Sequence, residues 1–295
     1  MKYLTIGSDP EVLLRNRKTH QIVSAIPFVP EGKDAPRDLG NGFKVLHDNV
    51  LIEFNIPAAS SSKEFLANLR EGFRRIHKVV GIEFELVPQA SHVFNPKFLQ
   101  DRDAKVFGCD REFCAYERRS CLPPDCHTNL RSCGAHIHIG RTDYENPDSD
   151  VLMHPISKGR TTQLMDLFVG LALTSIDKDR TSGARKQLYG RAGRHRPTRY
   201  GVEYRTPPNY WLRSPKLAEL VYDLTTHAVS IENSGQADQI LASVSLDQVV
   251  AAINSNRKDM CAKLLNQIPM PKNLMKRIHS FKKALPNSVN KAWKV

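Results

Sequence analysis

The stretch RSCGAHIHIG, residues 131–140, sets two imidazoles two positions apart, His136 and His138. Side chains alternate faces along a strand, so both histidines point to one side while Ile137 and Ile139 point to the other. Imidazole binds metals, shuttles protons and contacts phosphate. Three further segments repeat the arrangement with other polar types. Asp9 and Glu11 share a face in GSDPEVLL, Glu53 and Asn55 in HDNVLIEFN, and Glu203 and Arg205 in YGVEYRTPPNYW, each with apolar residues opposed. A solvated sheet face explains any one pair. It explains four less well, because Lys, Ser and Thr, the usual residues of a wet face, are nearly absent here. Asp48, in HDN, is read either as a substrate ligand or as a turn former.

Carboxylates with imidazole suit hard divalent cations at nucleotide phosphates. Arginines suit the phosphates themselves, and Arg191, Arg194, Arg196, Arg199 and Arg205 lie just before or on the last acidic strand. ATP with Mg²⁺ (or Mn²⁺) is the simplest ligand pair that uses all of these groups. No G-x-x-x-x-G-K-[ST] loop and no protein-kinase motif set occurs, so neither a P-loop enzyme nor a kinase is indicated.

These residues need strands to present them. LTIGSDPEVLLRNRKTHQIVSAIPFVP reads as a hairpin, with strands around 10–15 and 20–25 and a turn at Asn16–Thr19. FKVLHDNVLIEFNIP adds strands near 43–47 and 50–56, and others follow near 83–88 and 133–139. SSSKEFLANLREGFRRIHKVVG is a helix, with Ser61 and Glu64 as a capping box and Phe65, Leu66, Leu69, Phe73, Ile76 and Val80 as its apolar face. TTQLMDLFVGLALTSID predicts a buried helix around 161–177. SPKLAELVYDLTTHAVSIE predicts another, with Ser214 as N-cap and Pro215 at its first position. Helices interrupt pairs of strands rather than alternating with single ones. That predicts an α+β fold with a largely antiparallel sheet, not a doubly wound one. Residues 1–235 are expected to form the catalytic domain, and 236–295 a basic helical C-terminal extension.

The ordered set SDPE, EFN, GAHIHIG and YGVEYRTPPNYWL resembles the glutamine synthetase / glutamate–cysteine ligase superfamily. More closely, it resembles the phage phiEco32-like COOH–NH2 ligase type 2 family of amidoligases. The resemblance covers roughly residues 3–230, and Asp9 stands where glutamine synthetases carry the first Glu of E-x-E. It implies a curved antiparallel sheet with helices on one face, like the glutamine synthetase catalytic domain. It also implies an ATP-dependent ligase joining a carboxylate, such as an amino acid or peptide, to an amine. Carried over by motif, Glu11 and Glu53 hold one Mg²⁺, and Asp9, His136 and Glu203 a second. His138 and Arg205 face phosphate, with Arg191 and Arg194 nearby on the nucleotide side. Arg199 contacts the γ-phosphoryl group or the substrate carboxylate, which makes Glu53, Arg199 and Arg205 the expected catalytic set.

The net charge of +12 permits binding to nucleic acid as well as to anionic substrates. Ten Lys/Arg and one acid, Asp259, fall within 257–295, so this segment could recruit an acidic macromolecule. The rival functions are a nucleic-acid-binding protein using 185–205 and 257–295, and a metal-dependent hydrolase using the same acid/His face. No aromatic stacking pattern interrupts the basic segments, which disfavours the first. Five cysteines, Cys109, Cys114, Cys121, Cys126 and Cys133, fall in one stretch without a CxxC pair. With His127 they leave a structural Zn²⁺ site open, and the stretch is expected to act as a lid or acceptor-side loop. No signal peptide or membrane span is evident, so a cytoplasmic protein is expected, in the host cytoplasm if phage-encoded.

Overall fold

The computed structural model describes residues 3–105, 112–121, 129–143 and 152–295. Cys109, Cys126 and His127 of the expected zinc set lie outside these residues. Thirteen strands are described: β1 (Leu4–Asn16), β2 (Ile22–Val23), β3 (Arg37–Gly40), β4 (Phe43–Asp48), β5 (Leu51–Asn55), β6 (Phe84–Val87), β7 (Ser91–Val93), β8 (Glu112–Cys114), β9 (Arg119–Cys121), β10 (Leu130–Ser132), β11 (Ala135–Arg141), β12 (Arg194–Thr198) and β13 (Gly201–Tyr204). The main sheet runs β3-β4-β5-β1-β11-β13-β12-β8-β9, with β2 and β6 also paired to β1. Every ladder among the described residues is antiparallel, as the sequence predicts.

The expected hairpin forms, although β1 starts earlier, at Leu4, because its apolar alternation extends to that residue. Asn16 accepts from the N–H groups of Lys18 and Thr19 and so closes the turn. Along β1, Leu4, Ile6, Val12 and Leu14 join the main core with Ile52, Ile137, Ile139, Val202 and Tyr204 of neighbouring strands. Three helical elements cover this face: α1 (Ser62–Val80), the pair α2 (Pro155–Met165) and α3 (Leu171–Ile176), and the long α5 (Pro215–Asn233) that follows α4 (Ser182–Leu188). The opposite face carries the polar partners. It is dry at one end, where Leu13 and Val87 join a second cluster with Phe94, Leu99 and Cys133.

Helix α1 begins where its chemistry says it should. Ser61 caps Glu64 N–H at 3.2 Å, and Glu64 returns to the N–H of Ser60 at 2.8 Å. The helix expected at 161–177 instead begins at Pro155, where His154 accepts from Ile156 N–H, and it is interrupted by a π-helical turn at Asp166–Gly170. Ser214 caps α5 without a side-chain hydrogen bond; its carbonyl instead accepts from the N–H groups of Leu217 and Ala218.

Two features pin the back of the sheet. Asn209 donates to the Glu11 carbonyl at 2.8 Å, and Trp211 donates to the Ala135 carbonyl at 3.2 Å. The C-terminal helices α6 (Ala237–Leu241), α7 (Leu246–Asn254), α8 (Lys258–Leu265), α9 (Lys272–Ser280) and α10 (Val289–Trp293) share the main core through Val249, Ile253, Leu264, Ile278 and Trp293. The lysines of this segment at 272, 276, 282, 283, 291 and 294 are exposed. No helix among the described residues is long and apolar enough to cross a membrane.

Candidate active site

Register builds the site. Residues directly opposed in an antiparallel pair share a face, so a polar residue on one strand meets the polar residue of the next. Glu53 on β5 opposes Glu11 on β1, and Asp9 on β1 opposes His136 on β11. His138 opposes Glu203 on β13, which in turn opposes Arg196 on β12. The four sequence pairs therefore merge into one row across five adjacent strands. Asp9, Glu11, His136, Glu203 and Arg205 are all buried there.

The row resolves into two ligand groups. Glu11, Asp48 and Glu53 bring carboxylate oxygens within 4.8 Å of one another, and so do Asp9, His138 and Glu203 with their own ligand atoms. The first group adds Asp48 to the expected Glu11–Glu53 pair. The β4–β5 register explains it, since Leu46 opposes Glu53 and Asp48 lies two residues on, facing the same side. In the second group His138 joins Asp9 and Glu203, alongside the expected His136. It reaches diagonally across the pair, with Nε2 3.1 Å from Asp9 Oδ2. His136 remains at hand, with Nδ1 3.2 Å from Asp9 Oδ1 and 3.4 Å from Glu203 Oε1.

Several of these atoms are buried without a hydrogen-bond partner: Asp9 Oδ1, both ring nitrogens of His136, and Nε2 of His138. Burying such groups unsatisfied is costly, and the donor set fits divalent cations that would complete their bonding. The electrostatics agree. Burial pushes the Glu11 carboxyl up to about 8, with Asp48 adding to the shift, and the Glu203 carboxyl up to about 7, with Asp9 adding to it. Glu53 is raised well above the usual range by burial and by Asp9, Asp48 and Glu11. Burial also lowers His136 to about 3, so that ring stays neutral. Burial acts to lower His138, but Asp9 and Glu203 together raise it.

Gly134 has a steric reason to lack a side chain. A Cβ there would sit 2.8 Å from His136 Nε2 and 2.9 Å from Arg185 Nη2. Its N–H donates to Glu11 Oε2 at 2.5 Å. Arginines line the other end. Arg205 pairs with Glu203 and lies 3.4 Å from Glu112 Oε2, while Arg196 Nη1 lies 3.1 Å from Glu203 Oε2. The Tyr189 ring lies beneath Arg205, 5.0 Å from its guanidinium carbon. Arg194 turns to Glu112 at 3.5 Å. Arg191 and Arg199 are exposed, Arg199 on the β12–β13 turn, and neither lines the cavity.

The cavity over the row is small, about 50 Å³, and Lys33 reaches it from the segment before β3. A groove of about 580 Å³ lies on the His138 side over Gly7 and Gly140, with Tyr200 at its edge. The Tyr200 hydroxyl bonds to His138 Nδ1. A further cavity of about 320 Å³ lies beyond Asp48 and Lys33. Lys33, Glu112, Arg185 and Tyr189 were not expected from sequence. Glu112 has a strand-like signal in EFC, but Lys33 and Tyr189 come from irregular segments without periodicity.

No curated protein sequence matches the chain. Among solved structures, a bifunctional glutathione synthetase from Pasteurella multocida is similar at a TM-score of 0.45 and 9% identity, covering 99% of this chain and 49% of that one. The chain thus spans about half the length of that relative. One family model matches residues 85–288, more than half of the sequence, which takes in the histidine strand, Glu203 and Arg205 but begins after Asp9, Glu11 and Glu53. Because that match spans more than half of the sequence, the chain belongs to the phage phiEco32-like COOH–NH2 ligase type 2 family, a family of carboxylate–amine ligases.

Proposed function

We propose that the protein is an ATP- and Mg²⁺-dependent carboxylate–amine ligase that forms an amide bond through an acyl phosphate. The observation that carries this reading is the single row of Glu53, Glu11, Asp9, His136, His138, Glu203 and Arg205, with two ligand groups side by side. A carboxylate is a poor acyl donor; to form an acyl phosphate its oxygen attacks the γ-phosphorus of ATP, the bond to the β-phosphate oxygen breaks and ADP leaves, a step that brings two anions together. Glu11, Asp48 and Glu53 would hold one divalent cation, and Asp9, His138 and Glu203 the other, with His136 beside it. Cations held there would supply positive charge against the phosphate and carboxylate.

The chain's own groups do the rest. Arg205 and Arg196 lie on the Glu203 side, where they can grip phosphoryl oxygens. The Tyr200 hydroxyl holds the His138 ring. Gly134 N–H fixes the Glu11 carboxylate, and the Leu13 cluster keeps water from one end of the face. When the amine attacks, the oxyanion forms beside Arg205 and Arg196, which stabilise it; its collapse breaks the acyl C–O bond to phosphate, which leaves as inorganic phosphate, and the amine's proton passes to solvent. The substrates proposed are an amino-acid or peptide carboxylate and an organic amine. The site is expected to work in the cytoplasm, where ATP is available. Calorimetry with Mg²⁺-ATP tests the reading: Glu53→Gln and Glu203→Gln should each abolish or strongly weaken binding. Unchanged affinity in both folded variants would overturn it.

A further inference from the structure

Asp166 is a buried carboxylate that the chemistry above does not use. It interrupts the apolar run LMDLFVG at the start of the π-helical turn and has no exposed surface. Such turns are frequent at functional sites. Donors from three segments converge on it. The Tyr204 hydroxyl donates to Oδ1 at 2.6 Å, and the Tyr116 hydroxyl and Gly193 N–H donate to Oδ2 at 3.0 and 2.5 Å. The surroundings are shaped to allow this. A Cβ on Gly170 would sit 2.8 Å from the Tyr204 hydroxyl, and one on Gly193, where φ is +76°, would sit 2.6 Å from the Tyr116 ring. Burial pushes Asp166 up to about 6, with Tyr204 drawing it back, so the acceptor-only carboxylate prevails at pH 7.

Each of the three donors belongs to a segment of the arginine half of the site. Tyr204 lies between Glu203 and Arg205, Gly193 directly precedes β12, which carries Arg194 and Arg196, and Tyr116 follows the strand that carries Glu112. The other half, Glu11, Asp48 and Glu53, lies on β1, β4 and β5, which supply none of these donors. We propose that Asp166 is a positioning residue: from the far face of the sheet it ties β8, β12 and β13 together and so holds Glu203, Arg196 and Arg205 against Asp9 and His138. This role rests on the ligase reading of the site. It makes an asymmetric prediction, because loosening the tie should disturb one ligand group and spare the other.

The test uses the full chain with Asp166→Ala. The methyl side chain removes every acceptor, so the Tyr204 and Tyr116 hydroxyls and the Gly193 N–H all lose their common partner. Tyr204→Phe serves as a second, milder variant should the first not fold. Mn²⁺ binding is followed by electron paramagnetic resonance, and inorganic triphosphate binding by calorimetry, with folding checked by circular dichroism. Wild type should bind two Mn²⁺. In the variants one affinity should fall by about 10- to 100-fold, the usual effect of removing a group that supports a metal ligand. That affinity should be the one lost in Glu203→Gln, the one lost in Glu53→Gln should persist, and triphosphate should weaken as well. Wild-type-like binding of both probes in folded variants, or an equal fall at both metal sites, would overturn the positioning role. A wild type that binds no Mn²⁺ would overturn the ligase reading and this role with it, and that outcome is visible before any substitution is made.

Discussion

Filling the acidic cluster with a divalent cation must displace protons, and the cluster's own electrostatics set how many. With Glu11 at about 8 and Glu203 at about 7, both raised first by burial, these two carboxyls together hold roughly one and a half protons at pH 7. Metal ligands must be deprotonated, so saturation with Mn²⁺ at pH 7 should release at least that number per chain, with Glu53 and His138 adding to it. At pH 9 the release from Glu11 and Glu203 should fall to roughly a tenth of a proton. Calorimetric titrations in buffers of different ionisation enthalpy read the count directly. The same shifts fix the sign of a stability effect. The folded-state value of Glu11 is raised, so its contribution is fully present below its unfolded value of 4.5 and is lost as pH rises through about 8. The metal-free protein should therefore melt at a lower temperature at pH 8.5 than at pH 6, and saturating Mg²⁺ should remove most of that loss. Release of less than half a proton at pH 7 with Mn²⁺ demonstrably bound would refute the raised carboxyl values on which this count rests.

Arg205→Lys keeps the charge but loses the forked donor set that now spans Glu203 and Glu112. It should lower turnover by about 10²–10³, the worth of one transition-state hydrogen bond to charge, with a much smaller effect on melting temperature. Gly134→Ala should push the His136 ring away from Asp9 and weaken Mn²⁺ binding by about tenfold, measured by titration, in a protein that still folds. Trp293 is fully buried, its ring lies 5.3 Å from that of Phe73, and it donates to the Leu212 carbonyl at 2.7 Å. Trp293→Ala should cost about 3–5 kcal/mol in a denaturant melt, so the last helix contributes to the stability of the core rather than hanging from it.

Period-two alternation makes the strands legible in the sequence, because one face of the sheet is a hydrocarbon core and the other a polar row. The helix at Ser62–Val80 is equally legible, since its cap and its apolar stripe agree. The π turn is not, because an i→i+5 hydrogen bond leaves the apolar pattern of residues 161–177 nearly intact. The site is readable as pairs but not as a register. Alternation says that His136 and His138 share a face; only the pairing with β1 and β13 sets His136 opposite Asp9 and His138 opposite Glu203, so that both rings border one group. Asp48 is ambiguous in sequence for the same reason, and the β4–β5 pairing resolves which way it faces. Lys33, Arg185 and Tyr189 arrive from segments whose positions depend on long-range packing, which no local pattern records.

Product identity tests the central claim most directly. The protein is incubated with ATP, Mg²⁺ and hydroxylamine together with a deproteinised cell extract that supplies the carboxylate, and adenine nucleotides and hydroxamates are quantified. Activation through an acyl phosphate predicts ADP and hydroxamate in equal amounts, both absent with Glu203→Gln. AMP with pyrophosphate, or ADP formed without any hydroxamate, would contradict it.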